Sequence, residues 1–241
     1  VYANLRPLRS LPSVETRHQN VDLIVVRETT EDIYAHLEHE SLPGVFESFK
    51  VTTEAACERI ARYAFETARR LGRKKVTIVH KANIMKLSDG MFLRVGRRVS
   101  EEYPEIETND CIVDALCMKL IIEPGDFDVL LCGNLFGDIV SDLCTGIVGG
   151  ASNAPSINIS DDVVLFTAAH GDRSELIGTG KGDPLTLLLP TIAMLKHLGE
   201  NQAVADLEVA MNAAIESGAR PFALGGEASL TTFFVALLSN L

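Results

Sequence analysis

The chain has 241 residues, 46% of them hydrophobic and 23% charged, enough to bury a sizeable core in one large domain or two small ones. Its net charge of −11 argues against a nucleic-acid or anionic-membrane surface, since either partner would repel it, and no apolar run approaches the roughly 20 residues that cross a bilayer. The five cysteines show no C-x-x-C pair and no His/Cys ligand spacing, which indicates neither a zinc site nor a disulfide framework and suits a reducing compartment.

In chain order, the first residue is Val rather than Met, and "VYANLRPLRS" carries no leader or charged n-region, so a segment is expected upstream. "VDLIVV" (21–26) reads as a buried strand. "IYAHLEHESLPGVFESFKVT" (33–52) is two extended stretches around Pro43 and Gly44, which predicts an antiparallel hairpin arm. "TEAACERIARYAFETARRLG" (53–72) has helical spacing, a Thr cap and a closing Gly; the basic run 69–75 at its end reads as a solvated helix terminus. "KVTIVH" (75–80), "FDVLLC" (127–132) and "DVVLFTA" (162–168) are further strands, and "SDGMFLRVGRRVSEEYP" (88–104) is a helix ending at Pro. After Gly149 the chain becomes helix-rich, with helices expected in 184–199 and 202–218. Strands alternating with helices place the chain in the α/β class with a largely parallel sheet.

Four places carry candidate chemistry. In "NLFGDIVSDLC" (134–144) the i, i+4 spacing puts Asp138 and Asp142 on one helix face, where like charges repel unless a hard divalent cation such as Mg²⁺ or Mn²⁺ intervenes. The plainer reading is a helix start capped by Asp138, with Asp142 solvated. Lys81 follows a buried strand directly, at the end where α/β proteins place ligands; it is either a general base of lowered pKa or an ordinary surface lysine. Arg27 follows a strand and Arg6 lies near the chain start. Arginines at strand ends suit carboxylate recognition, and the alternative is a salt bridge to Glu28 or Glu31. Tyr34 is a proton donor if its hydroxyl faces the same cleft, and packing otherwise.

Three motifs are decoys. "GTGKGDP" (178–184) lacks the Ser or Thr and the spacing of a phosphate loop, and "GGASNAP" does not complete a nucleophile elbow around Ser152. The G-x-G-x-x-G fingerprint is absent, so a dinucleotide would bind by another route.

Taken together and in order, "YANLRP", "VRETTEDIYAHLEH", "VHKANIMKLSDG", "IVDALC", "NLFGDIVSDL", the "SNAPSINI" run and the "HG" at 170–171 resemble the isocitrate/isopropylmalate dehydrogenase family of metal-dependent decarboxylating dehydrogenases. "RETTEDIYAHLEH" is more similar to the isocitrate branch, because the isopropylmalate branch typically shows a Gly-Gly step before the Tyr. The resemblance implies that family's α/β fold: a parallel or mixed sheet sandwiched by helices, with a hairpin clasp at about 33–52. It implies a small domain over 1–148 for dimerisation, metal and substrate, and the C-terminal part of a large cofactor-binding domain over 149–241. About 90 residues of the large domain that precede "YANLRP" in the family are expected to be missing.

It further implies that Arg6 and Arg27 bind substrate carboxylates, that Tyr34 delivers a proton, that Lys81 assists proton movement, and that Asp114, Asp138 and Asp142 hold Mg²⁺ or Mn²⁺. In the family Lys81 and Asp114 serve the neighbouring subunit's site, so a homodimer or hetero-oligomer with shared sites is expected. Asn83, His170, Gly171, Glu175, Leu176 and Asp183 would bind the cofactor, with Glu175 favouring NAD by repelling a 2′-phosphate. The implied reaction is oxidative decarboxylation of isocitrate in the tricarboxylic acid cycle, in the cytoplasm or the mitochondrial matrix. Isopropylmalate, homoisocitrate or tartrate are alternative substrates, and a non-catalytic regulatory subunit or inactive fragment is an alternative role. Two departures bear on the adenine loop: "HGTAP" is here "HGDRS" (170–174), and the "NP" at its end is "DP" (Asp183, Pro184).

Overall fold

The computed structural model describes residues 1–12, 14–150, 154–169 and 171–241. The strands are β1 (Ala3–Arg9), β2 (Asp22–Glu28), β3 (Glu38–Leu42), β4 (Val45–Ser48), β5 (Lys75–His80), β6 (Glu107–Ile112), β7 (Val129–Cys132), β8 (Ser156–Ile159) and β9 (Val164–Thr167). The α-helices are α1 (Glu54–Arg70), α2 (Ser88–Ser100), α3 (Val113–Ile122), α4 (Asn134–Ile147), α5 (Leu185–His197), α6 (Asn201–Glu216) and α7 (Leu230–Leu238). Seven strands form one sheet in the order β6-β5-β7-β2-β1-β8-β9, and β3 and β4 form a separate two-stranded sheet. The chain divides into two compact units: 1–6, 22–144 and 158–164 make the first, and 7–21, 145–157 and 165–241 the second.

In the first unit, β2, β7, β5 and β6 run parallel. β1 runs antiparallel to β2, as the bonds Ser10 N–H to Val21 O and Thr29 N–H to Tyr2 O require, so the sheet is mixed. Parallel strands covered by helices are apolar throughout, and β7 and the interior of β2 are buried. The register sets Arg27, Cys132 and Val79 side by side. The carboxyl ends of β2, β7 and β5 therefore finish at one edge, where α/β proteins gather their functional groups.

Helix α1 is capped by the Thr53 hydroxyl, which accepts from Ala56 N–H, and buries Ala56, Ile60, Ala64, Phe65 and Ala68 at helical spacing. Phe65 is fully buried, which contributes about 1.5–3 kcal/mol. Pro43 and Gly44 (φ 77°) turn the β3–β4 hairpin, the pairing that a type II turn uses. Every residue of the two hairpin strands is exposed, Leu42, Val45 and Phe46 included.

The second unit has its own core, in which Leu185 and Ile192 of α5, Val204, Met211 and Ile215 of α6 and Phe233 of α7 pack together.

The expected α/β class, the hairpin arm, the four strands and both N-terminal helices are present. Strands β1, β6 and β8 and helices α3 and α7 were not singled out from the sequence. Two of these have a visible cause: β6, "ETNDCI", is a polar edge strand without an apolar run, and β1 carries Pro7 and two arginines, which argue against a strand. Among the described residues no helix is long and apolar enough to cross a membrane.

Candidate active site

Arg27 is the centre of a cluster in the first unit. It is the last residue but one of β2, so the strand runs further than the hydrophobic pattern indicated. Its Nε and Nη2 donate to Asn134 Oδ1 at 3.1 and 2.8 Å, and its Nη1 pairs with Asp138 Oδ1. The Asn134 amide cannot be reversed, because its Nδ2 donates to the Glu31 carbonyl at 2.9 Å. Asp138 Oδ2 accepts from the Tyr34 hydroxyl, and the Arg27 guanidinium carbon lies 5.1 Å from the Tyr34 ring centroid. One carboxylate thus joins the expected arginine and the expected tyrosine.

The alternative partners for Arg27 are excluded by what they do instead. Glu28 turns inward and accepts from Thr30, while Glu31 accepts from the backbone and hydroxyl of Thr53. The plainer reading of Asp138 also falls: α4 starts at Asn134, so Asp138 lies in the second turn and is no cap. Tyr34 stands in a 3₁₀ turn, Ile33–Ala35, ahead of the hairpin strands.

Arg6 lies in the middle of β1 rather than at a strand end. Its Nη1 pairs with Asp142 Oδ1 at 3.2 Å, and its Nε donates to Asn4 Oδ1 at 3.2 Å. Both carboxylates of α4 are therefore matched by arginines from β1 and β2. Asp142 is 74% exposed and Asp138 36%, so both are within reach of solvent.

Lys81 follows β5 directly, as expected, and its Nζ pairs with Asp114 in the first turn of α3. That lysine holds the Asp114 carboxyl below its ordinary value of 3.8. The hydrogen bond to Asp138, with burial second, pushes the Tyr34 phenol above its ordinary 10.0, and Arg27 opposes the rise. Among the described residues of one chain no three His, Cys, Asp or Glu groups converge as a metal site. Two α4 carboxylates one turn apart and accessible are hard oxygen donors of the kind that Mg²⁺ or Mn²⁺ takes, and a third such donor would have to come from elsewhere.

Of the cofactor candidates, His170 lies outside the described residues, as does Ser152. Asn83 is exposed in the turn after β5, and Gly171 is exposed as well. Glu175 and Leu176 lie in a 3₁₀ turn, Ser174–Leu176, where Glu175 faces Arg173 at 3.4 Å. Asp183 accepts from Leu185 N–H at 3.0 Å, which fixes the start of α5, a role that Asn fills equally well.

Four residues of the site lie within the quoted motifs but were not singled out from the sequence. Asn134 orients Arg27. Gly137 lets Arg27 lie against α4, since a Cβ there would sit 2.6 Å from Arg27 Cγ. Asp32 holds a φ, ψ of 77°, −150°, a region nearly reserved for glycine that costs about 1–3 kcal/mol, and its carboxylate accepts from Ile33 and Leu135 N–H. Asp89 accepts from Lys81 N–H at 2.6 Å. The glycine inside the expected helix was the one available signal, because Gly is costly in a helix interior and its presence there points to a packing constraint.

The family model for isocitrate/isopropylmalate dehydrogenase matches residues 1–236. The chain belongs to this family. It is 44% identical, over its whole length, to the mitochondrial isocitrate dehydrogenase (NAD) catalytic subunit 5 of Arabidopsis thaliana, and spans 65% of that protein. It is 42% identical to a mitochondrial isocitrate dehydrogenase (NAD) regulatory subunit of Dictyostelium discoideum, covering all of this chain and 69% of that one. The solved isocitrate dehydrogenase of Methylococcus capsulatus superposes with a TM-score of 0.93 at 41% identity, covering 99% of this chain and 73% of that one. The family expected from the motifs is thus the family found, and the fold is the one the resemblance implied.

Proposed function

We propose that the chain supplies most of the site of an NAD-dependent isocitrate dehydrogenase, which oxidises and decarboxylates a 2-hydroxy acid. The observation that carries this reading is the sharing of Asp138 by Arg27 and Tyr34, with the Arg6–Asp142 pair one turn along the same helix. Guanidinium groups at these places can bind substrate carboxylates in the planar manner that orients a polyanionic acid. Arg27 cannot swing freely, since Asn134 and the face of Gly137 fix it, and a substrate carboxylate seated there meets a pre-set geometry.

The Tyr34 phenol keeps its proton well past neutrality, as a donor to a developing carbanion needs. Lys81, at the end of β5, carries the second proton-moving group, at the substrate hydroxyl. Asp138 and Asp142, with Asp114 of a neighbouring subunit, would hold Mg²⁺ or Mn²⁺, which would supply positive charge to offset the charge that develops on the substrate, and NAD would supply the hydride acceptor. The Lys81–Asp114 pair stands as a separate unit within one chain, which is consistent with its serving a neighbour.

A second copy or a sister subunit is the partner this reading requires. The fully exposed hairpin arm supports it, because an isolated two-stranded hairpin is marginal in water and Leu42, Val45 and Phe46 would gain from cover. Mitochondrial relatives support a matrix location for a eukaryotic source. A regulatory, non-catalytic role is the second reading, favoured by the departure "HGDRS" in the adenine loop.

The test is Mn²⁺ titration of the chain with isocitrate, isopropylmalate, homoisocitrate and tartrate in turn, following NADH formation. Turnover with isocitrate alone is expected. Turnover with another acid instead overturns the substrate, and saturable isocitrate binding without turnover favours the regulatory role.

A further inference from the structure

The geometry points to Lys50 as a positioning residue that holds two clusters of this chain, the arginine–tyrosine–aspartate group and the Lys81–Asp114 pair offered to a neighbour, in one fixed relation. The reading rests on the proposed function only for what the positioned groups do. Lys50 stands at the outgoing foot of the hairpin arm, next to Val51, whose backbone pairs with Asp32 in both directions. Its ammonium lies 2.8 Å from Asp32 Oδ2 and 3.4 Å from Asp89 Oδ1. The two carboxylates are 4% and 5% exposed, and the lysine 18%.

Each carboxylate has a second task in a different one of the two clusters. Asp32 Oδ2 accepts from Leu135 N–H in the first turn of α4, where a negative charge also suits the helix end. The same turn carries Asn134, which holds Arg27, and the next carries Asp138. Asp89 Oδ2 accepts from the backbone N–H of Lys81 itself. One ammonium therefore neutralises the anchor of the arginine–tyrosine–aspartate cluster and the anchor of the Lys81–Asp114 pair.

Electrostatics makes the link necessary. Two buried carboxylates near one cation repel each other, and without the cation each would have to protonate, move apart or draw in water. Any of these loosens the hydrogen bonds to Lys81 and Leu135. Asp32 feels the loss most, because its rare backbone conformation persists only while its surroundings over-determine it. The Phe136 ring, 5.2 Å from the ammonium, gives the charge a further favourable contact. A cavity of about 20 Å³ beside the group, bordered by Lys50, Asp32, Asp89 and Asn134, has room on the order of one water molecule.

The experiment compares Lys50→Met and Lys50→Arg in the full chain. Amide hydrogen exchange is followed at Lys81 and Leu135, with Ile78 and Leu130 in the neighbouring strands as controls. Lys50→Met should speed exchange at Lys81 and Leu135 by about tenfold over the controls, the order expected when a charge-assisted bond is lost, and Lys50→Arg should restore most of the protection. In the isocitrate assay Lys50→Met should lower kcat by roughly 100-fold with a much smaller change in KM, since misplacement of held groups acts on the chemical step.

Equal acceleration at Ile78 and Leu130 would reduce Lys50 to general stability and overturn the proposal. So would unchanged exchange at Lys81 and Leu135, or an unchanged kcat. If Lys50→Met does not fold, Lys50→Met/Asp89→Asn, which removes one of the stranded charges, is read against Asp89→Asn by the same criteria. Absence of turnover in the wild-type chain would sink the isocitrate reading, and the exchange result then decides the role of Lys50 alone.

Discussion

The first two turns of α4 and the loop at 171–183 both carry polar groups, yet they hold them in opposite ways. Around α4 the bonds join residues more than a hundred positions apart: Asn134 and Asp138 to Arg27, Asp138 to Tyr34, Asn134 to the Glu31 carbonyl. In the loop the side chains of Asp172, Thr179 and Asp183 accept from the N–H groups of Ser174, Lys181 and Leu185, each two residues away, and the long-range bond from Leu230 N–H to the Gly180 carbonyl is made by backbone. Long-range bonds are satisfied only by the folded chain, so they bring groups from distant elements to one point. Local bonds fix a turn and leave its outward groups for something else to meet. A substitution near α4 should therefore disturb geometry and chemistry together, whereas one in the loop should change recognition without changing the fold.

The harshest way to press that contrast is Asp138→Asn, which strips a proposed metal ligand and the common partner of Arg27 and Tyr34. Mn²⁺ affinity should fall by more than the roughly 10- to 100-fold that an outer-shell change costs, and turnover should collapse. Calorimetric Mn²⁺ titration measures the first, and an affinity equal to wild type would remove Asp138 from the ligand set. Circular dichroism should show the helices intact, because the residue is a third exposed.

Gly137→Ala tests the same region without touching a charge. The new methyl meets Arg27 Cγ and Cβ at 2.6 and 2.7 Å, so the arginine has to shift or the helix has to move. Overpacking of this kind costs about 1–3 kcal/mol, and the displaced guanidinium should raise KM for the acid. Thermal denaturation and initial-rate kinetics check both. A variant with wild-type melting and wild-type KM would show that the close approach between Arg27 and α4 is not a constraint.

These two positions also show what could be read before the fold was known. Asp138 was visible because a repeated carboxylate at helical spacing is a local pattern, and Arg27 because it ends an apolar run. Gly137 could be suspected as a helix glycine, but its neighbour, a strand residue 110 positions earlier, was hidden by the chain between them. Lys50, Asp32 and Asp89 were less legible still. Each looks like an ordinary surface residue in a polar stretch, and only the parallel register of β2, β7 and β5 brings their anchors to one edge. The basic run 69–75 is a solvated terminus only in part: Arg69 and Arg70 are exposed in the last turn of α1, whereas Arg73 pairs with Asp22 and Asp128 and is 17% exposed.

A smaller effect concerns pH. The Tyr34 phenol is raised above 10.0 because it donates to Asp138, so the folded state keeps this proton longer than the unfolded chain does. The stabilisation is fully present below about pH 10 and is lost as pH rises through the higher folded value. Tyrosinate absorbance, taken as the difference between wild type and Tyr34→Phe, should show this late titration. In Asp138→Asn it should move back toward 10.0, and an unmoved titration would mean that the hydrogen bond is not its cause.

The smallest expected change in stability belongs to the loop. Glu175 is 61% exposed and faces Arg173, itself 67% exposed, at 3.4 Å. Exposed pairs of this kind are worth about 0–1 kcal/mol, so Glu175→Ala should leave the melting temperature nearly unchanged. Its proposed task is discrimination: a carboxylate beside the ribose would repel the 2′-phosphate of NADP. Removing it also frees Arg173, a guanidinium suited to a phosphate, so the variant loses a repulsion and gains an available cation at once. The ratio of kcat/KM for NAD to that for NADP should fall, chiefly through KM for NADP. A constant ratio would assign Glu175 to the turn alone, and a large loss of stability would erase the distinction between this loop and the first turns of α4.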